Sequence, residues 1–237
     1  MANSEKLQEN TKQHAPKNEL SKVQDNLIVQ SMKKTLKNLQ LKYPGLDFGI
    51  QTVMKICDLG YDNYDSTNNR TSIQPDGGFL FVYLKGQKYY LLVSEQKTQG
   101  TNDKIFLKSS NKSKFKKQSL GNAVERLGKN FLALEFLFRH EHIFPFVVFL
   151  QGCDFHEEES TIPDRVRVVF RGLQKNVINL QKIKITETLW AAGSYFMRGH
   201  SYRESPGTSD WSFDEIYEIN NAIAFETLEY YIQKYGK

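Results

Sequence analysis

Three ionisable residues, Asp76, Glu95 and Lys97, frame the segment QPDGGFLFVYLKGQKYYLLVSEQKTQG, residues 74–100. Asp76 sits between Pro75 and Gly77, and one residue, Gln96, separates Glu95 from Lys97. The apolar runs FLFVYL (79–84) and KYYLLVSE (88–95) read as strands joined at Lys-Gly-Gln, a hairpin with a glycine turn. Residues i and i+2 of a strand share a face, so Glu95 and Lys97 point one way and Gln96 the other. Antiparallel pairing brings Asp76 alongside Glu95. Two carboxylates on one face form a hard-oxygen site suited to Mg²⁺. A lysine one step further can hold or deprotonate a water beside that ion. These are the parts of metal-assisted phosphodiester hydrolysis. The bland alternative is a turn aspartate with an exposed Glu-Lys pair at a strand end. A second Pro-Asp, Pro163-Asp164, is followed by no Glu-x-Lys, so only the first set is complete.

The elements that must hold this set follow from periodicity. Residues 1–22 are polar with almost no apolar residue and read as a flexible arm; residues 23–237 read as a single domain. Ile28, Met32, Leu36 and Leu39 recur at helical spacing, with Lys33, Lys34 and Lys37 mostly off the stripe and Pro44-Gly45 ending it. Val124, Leu127, Phe131, Leu134 and Phe138 mark the buried face of a second helix that starts near Gly121-Asn122. FPFVVFLQG (144–152) reads as a fully buried strand, and the alternating VRVVFR (166–171) as a further strand nearer an edge. Residues 182–200 read as a strand followed by a helix, and the last 25 or so residues as one amphipathic helix. The expected fold is α/β, a central mixed sheet flanked by helices.

Composition narrows the class. Of the 237 residues, 39% are apolar and 25% charged, ordinary for a globular domain. No window approaches the apolar length of a membrane span, and the N-terminus has neither signal- nor transit-peptide character, so the expected compartment is the cytoplasm. Cys57 and Cys153 form no disulfide framework or CxxC pair, and His140 and His142 lack a usual zinc spacing. The net charge of +5 is concentrated. Lys104, Lys108, Lys112, Lys114, Lys116 and Lys117 occur with no acidic residue among them. Such a run is a solvated loop or a polyanion-facing segment, and charge alone leaves both open.

Four blocks, in order, closely resemble the EcoRI family of type II restriction endonucleases. They are SIQPDGGF (72–79), LLVSEQKTQG (91–100), GNAVERLGKN (121–130) and FPFVVFLQGCDF (144–155). YPGLDF and LWAAGSYF extend the similarity over most of residues 30–200. The Gly-Asn-Ala-x-Glu-Arg start is far more specific than the catalytic motif.

The resemblance implies a restriction-endonuclease-like core of the PD-(D/E)xK type. Asp76 and Glu95 would be metal ligands for Mg²⁺, with the Gln96 carbonyl a further ligand and Lys97 the catalytic lysine. It implies that Asn122, Ala123 and Arg126 read base edges in the major groove, with Glu125 supporting the array. Chemistry agrees: Asn can pair with adenine, and Ala can lie against a thymine methyl. The lysine run then becomes a set of phosphate contacts, and the arm a DNA-embracing segment. Gln118 and Ser119 stand where the family's best-known member has Met-Ala-Ala, at positions that help select the outer base pair.

The implied activity is a homodimeric endonuclease cutting double-stranded DNA at a palindrome centred on AATT. A GAATTC-like site with 5′ overhangs is expected, with the outer pair left open. A companion DNA methyltransferase, not stably bound, is implied by the class. Two rivals remain: a structure-specific nuclease of repair or recombination with the same three catalytic residues, and a catalytically silent DNA-binding protein.

Overall fold

The computed structural model describes residues 27–55, 72–99, 122–138, 143–156, 160–169, 174–175, 193–199 and 210–236. Helix α1 covers residues 27–42. Its buried residues Ile28, Met32 and Leu39 follow the expected stripe, and Lys33, Lys34 and Lys37 are exposed. Pro44 cannot continue the helix, and the chain turns into strand β1, Asp47–Gln51. Strands β2 (Met54–Lys55) and β3 (Ser72–Ile73) form a separate two-stranded pair.

Strands β4 (Gly78–Leu84) and β5 (Gln87–Thr98) are the expected hairpin. Its two-residue turn places Lys85 and Gly86 at φ 49° and 80°, the positive values that a tight hairpin needs. Helix α2 (Asn122–Phe138) then carries the chain to β6, Phe146–Gly152, which pairs parallel to β5. A 3₁₀ turn, Cys153–Phe155, leads to helix α3, Ile162–Val169. Strands β7 (Gln174–Lys175) and β8 (Ser194–Gly199) follow, and helix α4, Phe213–Tyr235, closes the described chain.

The main sheet runs β1-β4-β5-β6-β8-β7. β4 runs antiparallel to both of its neighbours, β1 and β5; β5, β6, β8 and β7 are parallel. This is the mixed sheet expected. Every residue of β6 is buried, as a parallel strand covered on both faces must be. Val147 and Phe149 pack with α1 and α4 on one side. Phe146, Val148 and Leu150 pack with α2 and α3 on the other.

On β5 the same alternation holds near its end: Leu92 joins the α1/α4 layer and Val93 the α2/α3 layer. By that parity Glu95 and Lys97 face α2, and Ser94 faces α4. Ser94 indeed donates from Oγ to Asn220 Oδ1 at 3.0 Å, and Asn220 Nδ2 donates to Ser31 Oγ at 2.9 Å. All three side chains are fully buried. Asn220→Ala leaves two buried hydroxyls short of a partner and should cost about 2–3 kcal/mol in urea unfolding. A cost under about 0.5 kcal/mol would show that the network is dispensable.

Two sequence expectations are corrected. Residues 166–169 are helical, not a strand. Pro163 is placed in the first turn of α3, where its missing N–H costs nothing, and Ser160 Oγ accepts from Ile162 N–H at 3.2 Å. Ile162 and Val166, four apart, take the buried face, while Val168 is 70% exposed. The short Val-Arg alternation fits either period; the start signal decides it. Likewise Ser194–Gly199 is a strand, not the expected helix, because it is inserted beside β6 with Tyr195 and Phe196 buried on opposite faces. Residues 182–190, the arm 1–22, Cys57, His140 and His142 lie outside the described residues.

Candidate active site

The Pro-Asp-Gly-Gly turn leads directly into β4. Gly78 N–H donates to the Pro75 carbonyl at 3.0 Å, and Gly77 N–H to the Ser94 carbonyl at 2.9 Å. Gly78 has φ +80°, and a Cβ on Gly77 would lie 3.0 Å from both Ser94 Cβ and its carbonyl oxygen. Gly78 thus suits its positive φ, and Gly77 eases the close approach that docks Asp76 beside β5.

The three charged residues meet there. Lys97 Nζ lies 2.8 Å from Asp76 Oδ2 and 2.5 Å from Glu95 Oε1. Asp76 N–H donates to Glu95 Oε2 at 3.0 Å, and Gln96 N–H donates to Asp76 Oδ2 at 3.2 Å. From α2, Asn130 Nδ2 donates to Glu95 Oε1 at 3.4 Å. Glu95 is 1% exposed, whereas the Asp76 and Lys97 side chains keep 24% and 21% of their surface open. The site is thus buried at one carboxylate and open at the other.

Burial, opposed by Lys97 and reinforced by the charge of Asp76, raises Glu95 to about 7. Burial also disfavours the charged Lys97, but Glu95 and Asp76 outweigh it and hold the ammonium above the ordinary lysine range. In this arrangement Lys97 bridges the two carboxylates as an ammonium. Two carboxylates converging on one cation are also the donor set of a hard divalent ion, so the residues present fit Mg²⁺.

Asp76, Glu95 and Lys97 are brought together as the spacing requires. Gln96 contributes its N–H to Asp76 and turns a buried side chain to the opposite face. Helix α2 begins at Asn122, with Glu125 exposed on it. The side chains of Asn122, Ala123 and Arg126, and all of Gln118, Ser119 and Lys104 through Lys117, lie outside the described residues. Asn130 was not singled out from sequence. Its signal was helical spacing: positions 122, 126 and 130 recur every four residues.

This geometry sits inside a match to known proteins. The family described as "Restriction endonuclease EcoRI" matches residues 14–188. The chain belongs to the EcoRI restriction endonuclease family. It is 35% identical over 143 residues to "Type II restriction enzyme RsrI" of Cereibacter sphaeroides, covering 54% of this chain and 52% of that protein. It is 30% identical over 176 residues to "Type II restriction enzyme EcoRI" of Escherichia coli, covering 67% and 62%. These alignments span between half and two thirds of the relatives' own lengths. The matched region includes the hairpin, α2 and β6, so the site and the family assignment rest on the same residues.

Proposed function

We propose that this chain is a Mg²⁺-dependent type II restriction endonuclease that hydrolyses double-stranded DNA at a palindrome centred on AATT. The observation that carries the reading is the convergence of Asp76, Glu95 and Lys97 within a few ångströms in a chain of this family. Asp76 and Glu95 would hold the ion, with the Gln96 carbonyl a further oxygen ligand. Bound there, Mg²⁺ supplies charge stabilisation at the scissile phosphate. Lys97, released from the carboxylates it now bridges, is left to orient the attacking water. The open Asp76 side admits a phosphate, and the buried Glu95 side excludes bulk water.

Asn122, Ala123 and Arg126 at the start of α2 would read the central base pairs, and Glu125 would buttress them. Lys104, Lys108, Lys112, Lys114, Lys116 and Lys117 would contact phosphates, and residues 1–22 would order against DNA as an arm on the single domain 23–237. A palindrome implies a two-fold homodimer. A GAATTC-like site, four-base 5′ overhangs, a cytoplasmic setting and a separate, not stably bound, companion methyltransferase complete the proposal. Among the described residues no helix is long and apolar enough to cross a membrane.

The test is a set of short duplexes carrying AATT between each self-complementary flanking pair, beside a scrambled control. Cleavage of one member with Mg²⁺ and not of the scramble is expected; equal cutting of all duplexes would refute sequence specificity. A pH dependence also follows. Below pH 7 the ion must displace a proton from Glu95, whose ionised fraction grows as pH rises through about 7. The Mg²⁺ concentration for half-maximal cleavage should fall up to roughly tenfold per pH unit below 7 and level off above it. A flat requirement across that range would contradict Glu95 as a ligand.

A further inference from the structure

Asn130 lies on α2 four residues beyond Arg126 and eight beyond Asn122. At 3.6 residues per turn these three positions fall on one stripe of the helix. At one end of that stripe is the GNAVER start; at the other, the half-buried Asn130 amide meets Glu95 Oε1 at 3.4 Å. Among the described residues, the hairpin itself supplies every other polar partner of Glu95: Asp76 N–H on Oε2 and Lys97 Nζ on Oε1. Asn130 is therefore the polar link between the helix and the catalytic carboxylate.

The helix is well placed to transmit position. Leu127, Phe131 and Leu134, all buried, pack α2 in one cluster with Val93 of β5 and Val148 of β6. Close-packed interiors pass on displacement instead of absorbing it. The eight residue steps from Asn122 to Asn130 rise about 12 Å along the helix and behave as a rigid rod. A hydrogen bond at 3.4 Å stands at the long limit, so a shift of a few tenths of an ångström makes or breaks it.

We propose that Asn130 is a positioning residue that carries the seating of α2 on DNA to Glu95, so that the bases under the helix start set the geometry of the catalytic carboxylate. This rests on the nuclease reading above. A matched site seats the helix and tightens the Asn130–Glu95 contact; a mismatched one leaves it slack. Discrimination then acts in the cleavage step as well as in binding.

The test compares the wild type with Asn130→Ala and with Asn130→Leu, which keeps the approximate size and neutrality but loses the donor. The wild type's cleavage at one fixed sequence examines the nuclease reading separately, before the variants are compared. Single-turnover rates are then measured on that preferred duplex and on a one-base variant, with Kd for both in Ca²⁺ and a thermal melt as a check of folding. Both substitutions should slow the preferred duplex about tenfold while leaving the one-base variant and both Kd values within about twofold. The cleavage preference thus collapses while the binding preference stands. Equal slowing on both duplexes, no slowing, or a Kd change that accounts for the rate would overturn the proposal. If Asn130→Ala folds poorly, the near-isosteric Leu variant alone decides between these outcomes.

Discussion

Lys97→Ala should cleave DNA at least about a thousandfold more slowly than the wild type while still binding its preferred duplex in Ca²⁺. Lys97 Nζ bridges Asp76 and Glu95 at 2.8 and 2.5 Å, so its removal deletes the cation between these two carboxylates. Glu95, already raised to about 7 with Lys97 present, loses the interaction that most lowers it and holds its proton more tightly still. On the proposed mechanism the variant therefore loses a group at the reacting phosphate and gains a protonated ligand. Neither change touches the residues at the start of α2 that the proposal assigns to base contacts, and for that reason binding persists. Single-turnover cleavage and filter binding, run on the same duplex, check both halves. A rate within about tenfold of the wild type would remove Lys97 from the chemistry.

Arg126→Ala should weaken binding to the preferred duplex about a hundredfold or more while changing binding to random DNA by no more than about threefold. An arginine that contacts base edges is lost only where the right base is present; one that contacts phosphate is lost everywhere. The salt dependence separates the two further. A phosphate contact should reduce the slope of log Kd against log salt by about one on any sequence. Equal losses on preferred and random DNA would make Arg126 a phosphate contact and move sequence choice elsewhere on α2.

The site was legible in the sequence because it is local. Asp76 and Glu95 are joined by one hairpin, and a strand's two-residue period fixes which of their neighbours share a face. The apolar stripes of α1 and α2 were legible for the same reason, since Ile28, Met32 and Leu39, or Val124, Leu127 and Leu134, lie within a few turns of one another. What escaped was non-local. Asn130 reads as one more polar residue on a helix until the sheet beneath it is known. Asn220 reads as solvent-facing polarity in an amphipathic helix, yet it is fully buried between Ser94 and Ser31.

Short segments were ambiguous for a different reason. Val166 to Val169 is too brief to separate a two-residue from a 3.6-residue period, and the Ser160 hydroxyl bonded to the first helical N–H, with Pro163 in the first turn, carried the better information. Tyr195 and Phe196 are apolar neighbours that suit a helix face or a strand buried on both sides. Only their parallel pairing with Val148 and Phe149 distinguishes these.

The central claim is that a hairpin aims three charged groups at one phosphodiester and the next helix selects which one. Digesting a plasmid of known sequence with the purified protein and Mg²⁺, then sequencing every end produced, tests it most directly. Ends that all fall at one palindrome centred on AATT, each with a four-base 5′ overhang, are the predicted result and identify the flanking pair. Ends scattered without a common sequence, or gathered at junctions and flaps, would contradict it.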